Sequence, residues 1–263
     1  TRARMKRGEN VVVAFGKLGG GELRPMSDLD LVFVYDFAED VTQSDGPKPL
    51  GPQVYYLRLC QRLVTAITTE TGEGALYEVD TRLRPSGKAG ALATQLAGFA
   101  NYYKLPEGEA WTWEHMALTR ARPVYGSAAL QARLTEVIRT ALVQQRDIKK
   151  LLVDVDTMRN RIAREFAAKS EWDVKYRPGG LVDVEFTVQA LQLAYAAENP
   201  SILSTNTADA LERLQAAGYL TEPAFTALRE GLRLWRQVQA AIRLTAPGGG
   251  FDASSALEGQ KRA

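Results

Sequence analysis

Cysteine and histidine are nearly missing from this sequence: Cys60 and His115 are the single instances of each in 263 residues. One cysteine cannot form a disulfide within the chain, and the two residues together cannot build a Cys- or His-based zinc site. Long apolar runs are missing as well, none approaching the roughly 20 residues needed to span a bilayer. Neither sign of charge dominates. Lys+Arg is 33 and Asp+Glu is 31, a net of +2, which argues against a protein that coats nucleic acid. The basic start, residues 1–7, has no apolar segment of the signal-peptide kind. The expected setting is the cytoplasm, with no membrane and no nucleic-acid partner. The chain begins without methionine, which reads as a piece of a longer polypeptide.

What remains is ordinary for a globular protein. Hydrophobic residues make up 45% and charged residues 24%, enough for a sizeable core in one large or two small domains. β-Branched and apolar runs predict strands over 11–15, 28–35 and 75–83, the last stopped by Pro85. Residues 37–52, with three prolines and two glycines, read as a surface loop. Helical spacing of Tyr55, Leu59, Leu63 and Ile67 predicts a helix over 54–69, with Cys60 as a small buried hydrophobe. From about residue 95 the pattern is almost wholly helical, over 95–104, 108–120, 127–145, 148–169, 180–197, 206–217 and 222–244. The expected fold class is α+β, with a small sheet-bearing domain at 1–125, an all-helical domain at 126–245 and a frayed tail at 246–263.

The most pointed feature is Asp28-Leu29-Asp30. Side chains alternate along a strand, so Asp28 and Asp30 share one face while Leu29, Leu31 and Phe33 take the other. Two carboxylates so close repel unless a cation lies between them, and oxygen ligands of this kind suit a hard divalent metal. A solvated strand end is the plainer alternative for the three residues alone. The segment Gly16-Lys17-Leu18-Gly19-Gly20-Gly21 just upstream tilts the balance. Glycine backbone approaches phosphate oxygens closely, Lys17 adds a cation and Ser27 a hydroxyl. No Gly-Lys-Ser/Thr follows the glycines, so this is not a Walker A loop. A third acid is expected, and Asp80 is the candidate. It lies on the third strand with Glu78 and Arg82 on its face, and Arg82 and Arg84 beside it favour ionisation; an ion-paired structural role is the alternative.

These residues resemble the DNA polymerase β-type nucleotidyltransferases: strand, glycine turn, then Ser27-Asp28-Leu29-Asp30 on the next strand. More closely, the chain resembles the glutamine synthetase adenylyltransferases. The resemblance is carried by 16–23, 27–31, 77–87 (Tyr77-Glu78-Val79-Asp80 through Arg84-Pro85-Ser86-Gly87), 111–115 (Trp111-Thr112-Trp113-Glu114-His115) and 179–186. That family has two homologous heads, and the 77–80 and 111–115 stretches look more like the C-terminal, adenylylating head. The resemblance implies a polymerase β-like nucleotidyltransferase sheet domain followed by the helical domain. It also implies ATP as substrate, a tyrosine hydroxyl of glutamine synthetase as acceptor, and pyrophosphate as leaving group. Two Mg²⁺ would be held by Asp28, Asp30 and Asp80, with Asp80 able to take the phenolic proton. Gly16, Lys17, Gly20, Gly21, Ser27 and Arg82 would contact the phosphates. The PII signal protein and glutamine would regulate the full-length enzyme. The alternatives are the phosphorolytic, adenylyl-removing head of the same enzyme and another polymerase β-type nucleotidyltransferase that acts on RNA.

Smaller motifs stay open. Trp111 and Trp113 lie two apart and do not share a helix face, so core packing is expected for at least one. Arg120 and Arg122 bind phosphate or coat a helix. Asp183 and Glu185 either complement a helix dipole or touch the cleft, near Lys175 and Arg177.

Overall fold

The computed structural model describes residues 4–24, 27–72, 74, 77–168, 170 and 172–245. The expected tail, 246–263, and residues 75 and 76 of the third expected strand lie outside them. The architecture is α+β, as the sequence predicts. Strand β1 (Gly8–Ala14) leads into a single helical turn, α1 (Gly16–Gly19), and β2 (Leu29–Phe37) returns antiparallel to β1 with Val12 opposite Phe33. Helix α2 (Pro52–Thr68) follows, then the two-residue strand β3 (Val79–Asp80), β4 (Ala93–Gln95) and helices α3 (Leu96–Tyr102) and α4 (Thr112–Leu118). Strand β5 (Arg122–Gly126) closes the sheet, whose order is β3-β2-β1-β5 with β4 also pairing β2. Then come helices α5 (Ala128–Leu142), α6 (Ile148–Glu165), α7 (Leu181–Tyr195), α8 (Thr207–Ala216) and α9 (Glu222–Thr245).

Both faces of the central strands are covered. Val11, Val13, Phe15, Val32 and Val34 pack into one cluster with Phe99 of α3, Met116 of α4 and Leu134 of α5, which runs on to Leu151 of α6 and Leu193 of α7. Val12, Leu31, Phe33 and Tyr35 form the opposite cluster with Tyr56 and Cys60 of α2. Burial pushes the Cys60 thiol up to about 12, so it stays a small neutral hydrophobe, as expected. A third cluster, including Val188, Leu211 and Leu232, joins α7, α8 and α9. Helix starts are fixed by side-chain caps at Ser127, Asp147 and Asn206, which each accept from backbone N–H groups of the first turn. Among the described residues no helix is long and apolar enough to cross a membrane.

Four local expectations are corrected. The glycine-rich segment is a helical turn rather than an open loop: the N–H groups of Gly19, Gly20 and Gly21 donate to Phe15, Gly16 and Leu18. The third strand shrinks to Val79–Asp80, because the Asp80 carboxylate accepts the Arg82 N–H at 2.8 Å and folds the chain into a turn. The helix expected over 108–120 is confined to Thr112–Leu118, and an unexpected strand, β5, follows it. Neither Trp111 nor Trp113 is fully buried, Trp111 being 71% exposed.

Candidate active site

The parallel pairing of β2 with β3 builds the site. Leu29 lies opposite Val79 and Asp30 opposite Asp80, so the two acids emerge side by side from neighbouring strands. Asp28, exposed, precedes β2 by one residue on the same side. Carboxylate oxygens of Asp28, Asp30 and Asp80 all lie within 4.8 Å of one another. Leu29 and Val79 turn to the opposite side and pack against the α2 cluster, which fixes the register that presents the acids.

The three acids are not equivalent. Burial, followed by the charges of Asp28 and Asp80, raises the Asp30 carboxyl from 3.8 to about 6; Lys175 and Arg120 counter this only in part. Burial also acts to raise Asp80, but the hydrogen bonds and charge of Arg82 outweigh it and hold Asp80 below the usual carboxylate range. Arg82 Nε donates to Asp80 Oδ2 at 2.7 Å. Arg84 serves the same turn from behind, donating to the Thr81 carbonyl at 2.8 Å and the Gly90 carbonyl at 3.0 Å. Three hard oxygen donors with an unresolved mutual repulsion fit a divalent cation, and nothing in the donor set favours a softer metal.

Gly16 explains the start of the motif. Its φ is +53°, and a Cβ there would overlap the Asp30 carboxylate. Glycine at this position therefore gives Asp30 its room. Ser27 is buried, and its hydroxyl accepts from the Arg24 N–H at 3.3 Å. Lys17 Nζ donates to Gln239 of α9 at 3.3 Å, so its ammonium is drawn toward the helical half. The amides of Gly20 and Gly21 are engaged in the α1 turn. Gly20 is buried against Arg120 and Thr205, with its carbonyl held by Asn206, whereas Gly21 is exposed with open space where a side chain would be.

Several residues do more in the fold than their sequence context suggests. Arg120 is 5% exposed, not a solvated helix-face residue. Its Nε donates to the Gly16 carbonyl at 2.9 Å and its Nη1 to Thr207 Oγ1 at 3.1 Å, and it pairs with Glu22 and with Glu185 of α7. Glu22 also pairs with Arg236 of α9 and accepts the Thr207 N–H at 2.8 Å. Burial acts to raise the Glu22 carboxyl, but Arg120, Arg236 and the Thr207 amide together hold it below its usual range. Arg122 binds the carbonyls of Leu18 and Gly19, both at 3.0 Å. The partners lie about 65 to 215 residues apart, so no local pattern announces the network. Asp183 pairs with Arg159 and accepts the Gly179 N–H at 2.6 Å, a structural role at the start of α7. The 111–115 motif does not reach the acids. It lines a groove of about 1140 Å³ with Ser86, Tyr102 and Lys150, and none of the three acids is in its walls. His115 is buried there, its pKa pushed down to about 4 by burial and by Arg146, whose guanidinium approaches Nδ1 at 3.2 Å.

Comparison with known proteins adds a family to this geometry. Residues 2–137 match the family described as glutamate-ammonia ligase adenylyltransferase, and residues 133–247 match GlnD PII-uridylyltransferase. The bifunctional glutamine synthetase adenylyltransferase/adenylyl-removing enzyme of Rhodopseudomonas palustris is 44% identical over 93% of this chain and 24% of its own length. The proteins of the same description from Bradyrhizobium diazoefficiens and Brucella suis are each 44% identical over 92% of this chain and 24% of their own. The chain thus spans about a quarter of the length of the curated relatives it matches.

Proposed function

The chain belongs to the glutamate-ammonia ligase adenylyltransferase family, and from that premise we propose that it moves AMP from ATP to a tyrosine hydroxyl of glutamine synthetase, releasing pyrophosphate. The observation that carries the reading is the convergence of Asp28, Asp30 and Asp80 within 4.8 Å. These three would hold two Mg²⁺. Magnesium, when bound, neutralises triphosphate charge and eases ionisation of an attacking hydroxyl. The chain's own residues do the rest. Lys17, Ser27 and Arg82, with the backbone at Gly16, Gly20 and Gly21, would contact the phosphates once ATP is bound. The phenolic oxygen attacks the α-phosphorus as the bond to pyrophosphate breaks, and the proton passes to an Asp80 oxygen. A phenol of pKa near 10 is mostly neutral at pH 7, so an aligned acceptor matters. Arg82 keeps Asp80 ionised and oriented for that task.

The division into a transfer domain at 1–125 and a helical domain at 126–245 belongs to the same proposal, as do a cytoplasmic setting and regulation of the longer enzyme by PII and glutamine. The test is transfer of label from α-labelled ATP to unmodified glutamine synthetase in the presence of Mg²⁺. A parallel reaction gives the adenylylated synthetase and inorganic phosphate. Label on the synthetase with no ADP release in the second reaction is the expected result; phosphate-dependent ADP release alone assigns the chain to the removing reaction instead.

A further inference from the structure

The loop between Gly16 and Asp28 carries the turn that shapes the acid site, yet most of what anchors it comes from the far end of the chain. Arg120 takes the Gly16 carbonyl with one nitrogen and Thr207 of α8 with another, while pairing with Glu185 of α7. Glu22, 7% exposed, ties the middle of the loop to Arg120, to Arg236 of α9 and to the first amide of α8. Asn206 holds the Gly20 carbonyl at 3.0 Å, and Arg24 donates to the Arg236 carbonyl at 2.7 Å. Gly16 in turn lies against the Asp30 carboxylate.

A buried ionic network of this kind is a poor choice for stability alone, since apolar residues of similar volume serve as well or better. What it supplies is direction: a planar guanidinium has fixed donor angles. Three helices therefore register on a segment that glycine would otherwise leave loose. We propose that Glu22 and Arg120 are positioning residues, which set the placement of Asp28 and Asp30 through the glycine turn and make α7, α8 and α9 a working part of the transfer centre. The inference rests on the reading of the three acids given above.

The test uses the full chain with Arg120→Met, Arg120→Lys and Glu22→Gln, together with Asp30→Asn. The control is Arg213→Met, which removes an exposed ion pair with Asp209 on α8. Three quantities are read at a temperature where circular dichroism shows each variant folded: kcat and KM for ATP in AMP transfer, and the affinity for Mn²⁺ alone by calorimetry. Misplacement of a reacting group by about 1 Å costs on the order of 10²-fold in rate. Arg120→Met is thus expected to lower kcat about 100-fold and Mn²⁺ affinity about 10-fold, with KM for ATP changed less than about 3-fold. Arg120→Lys keeps the charge but not the fork; it should restore the thermal midpoint and not kcat. Arg213→Met should leave kcat and Mn²⁺ affinity at wild-type values. If Arg120→Met does not fold, Glu22→Gln keeps the shape of the site and carries the same test, with a kcat loss of about 10-fold. Folded Arg120 and Glu22 variants with wild-type kcat and Mn²⁺ affinity, beside an inactive Asp30→Asn, overturn the inference alone. Full transfer and Mn²⁺ binding by Asp30→Asn overturn the reading of the acids and the inference with it.

Discussion

Two clusters of charge meet the same glycine turn and are built in opposite ways. On one side Asp28, Asp30 and Asp80 converge, and Arg82 is hydrogen-bonded to Asp80 alone of the three. On the other, Glu22 is matched by Arg120, Arg236 and the Thr207 amide, and Glu185 by Arg120. Both contain buried or half-buried carboxylates, so burial does not separate them. Partnering does. The matched cluster holds Glu22 below its usual range, whereas the unmatched one pushes Asp30 to about 6. An acid group left against its own kind is a cost that folding alone does not explain, and it marks where a cation is wanted.

Substitutions at the two clusters should therefore diverge. The largest expected effect is on catalysis at the unmatched one: Asp30→Asn should lower AMP transfer by about 10³-fold, in line with losing several kcal/mol of metal-assisted stabilisation. The same substitution should raise the thermal midpoint of the metal-free chain at pH 7, because it removes a charge the fold disfavours. A fall in that midpoint would break the comparison. Next comes stability at the matched cluster, where Glu22→Ala leaves Arg236 without its carboxylate and Arg120 with Glu185 alone, and should cost about 3–5 kcal/mol in denaturant unfolding. Gly16→Ala sharpens the boundary between them. A methyl at φ +53° presses on Asp30, and a loss of about 1–3 kcal/mol is expected, together with a drop in transfer that exceeds any change in ATP binding.

The most gradual effect is the pH response, spread over about two pH units. Asp30 binds its proton more tightly folded, at about 6, than in its ordinary state at 3.8. Its contribution to stability is thus fully present below pH 3.8 and is lost as pH rises to 6, by at most about 3 kcal/mol. Mg²⁺ should flatten this slope. Chemical denaturation between pH 4 and 7, with and without the metal, measures it.

Much of this fold was legible because its patterns are long. The helices expected over 206–217 and 222–244 appear as Thr207–Ala216 and Glu222–Thr245, where apolar residues recur at helical spacing and Asn206 supplies a cap. The acid trio was legible too, since Asp28-Leu29-Asp30 after a glycine-rich segment is a local signal. Short or tertiary features were not. Strand β5 has an exposed pattern with no period, and only pairing with β1 makes it a strand. Helix α1 is rich in glycine, a poor helix former, and is held by Arg120 and Arg122 from about a hundred residues away. The meeting of Glu22, Arg120 and Arg236 was not legible, because they lie about 100 and 200 residues apart and nothing local in the sequence records that they meet.

The ladder between β2 and β3 is two residues long, yet it is what brings Asp80 beside Asp30. About fifty residues of chain separate its partners, so forming it closes a loop for very few hydrogen bonds. Assembly of the acid trio is then expected late in folding, after β1 and β2 have paired and α2 has docked to shorten the effective gap. The same economy of contact gives the site a low threshold for local opening. Exchange of the Leu29 amide, which donates to the Glu78 carbonyl at 2.8 Å, should run ahead of the β1–β2 ladder and slow when the acids hold their cation.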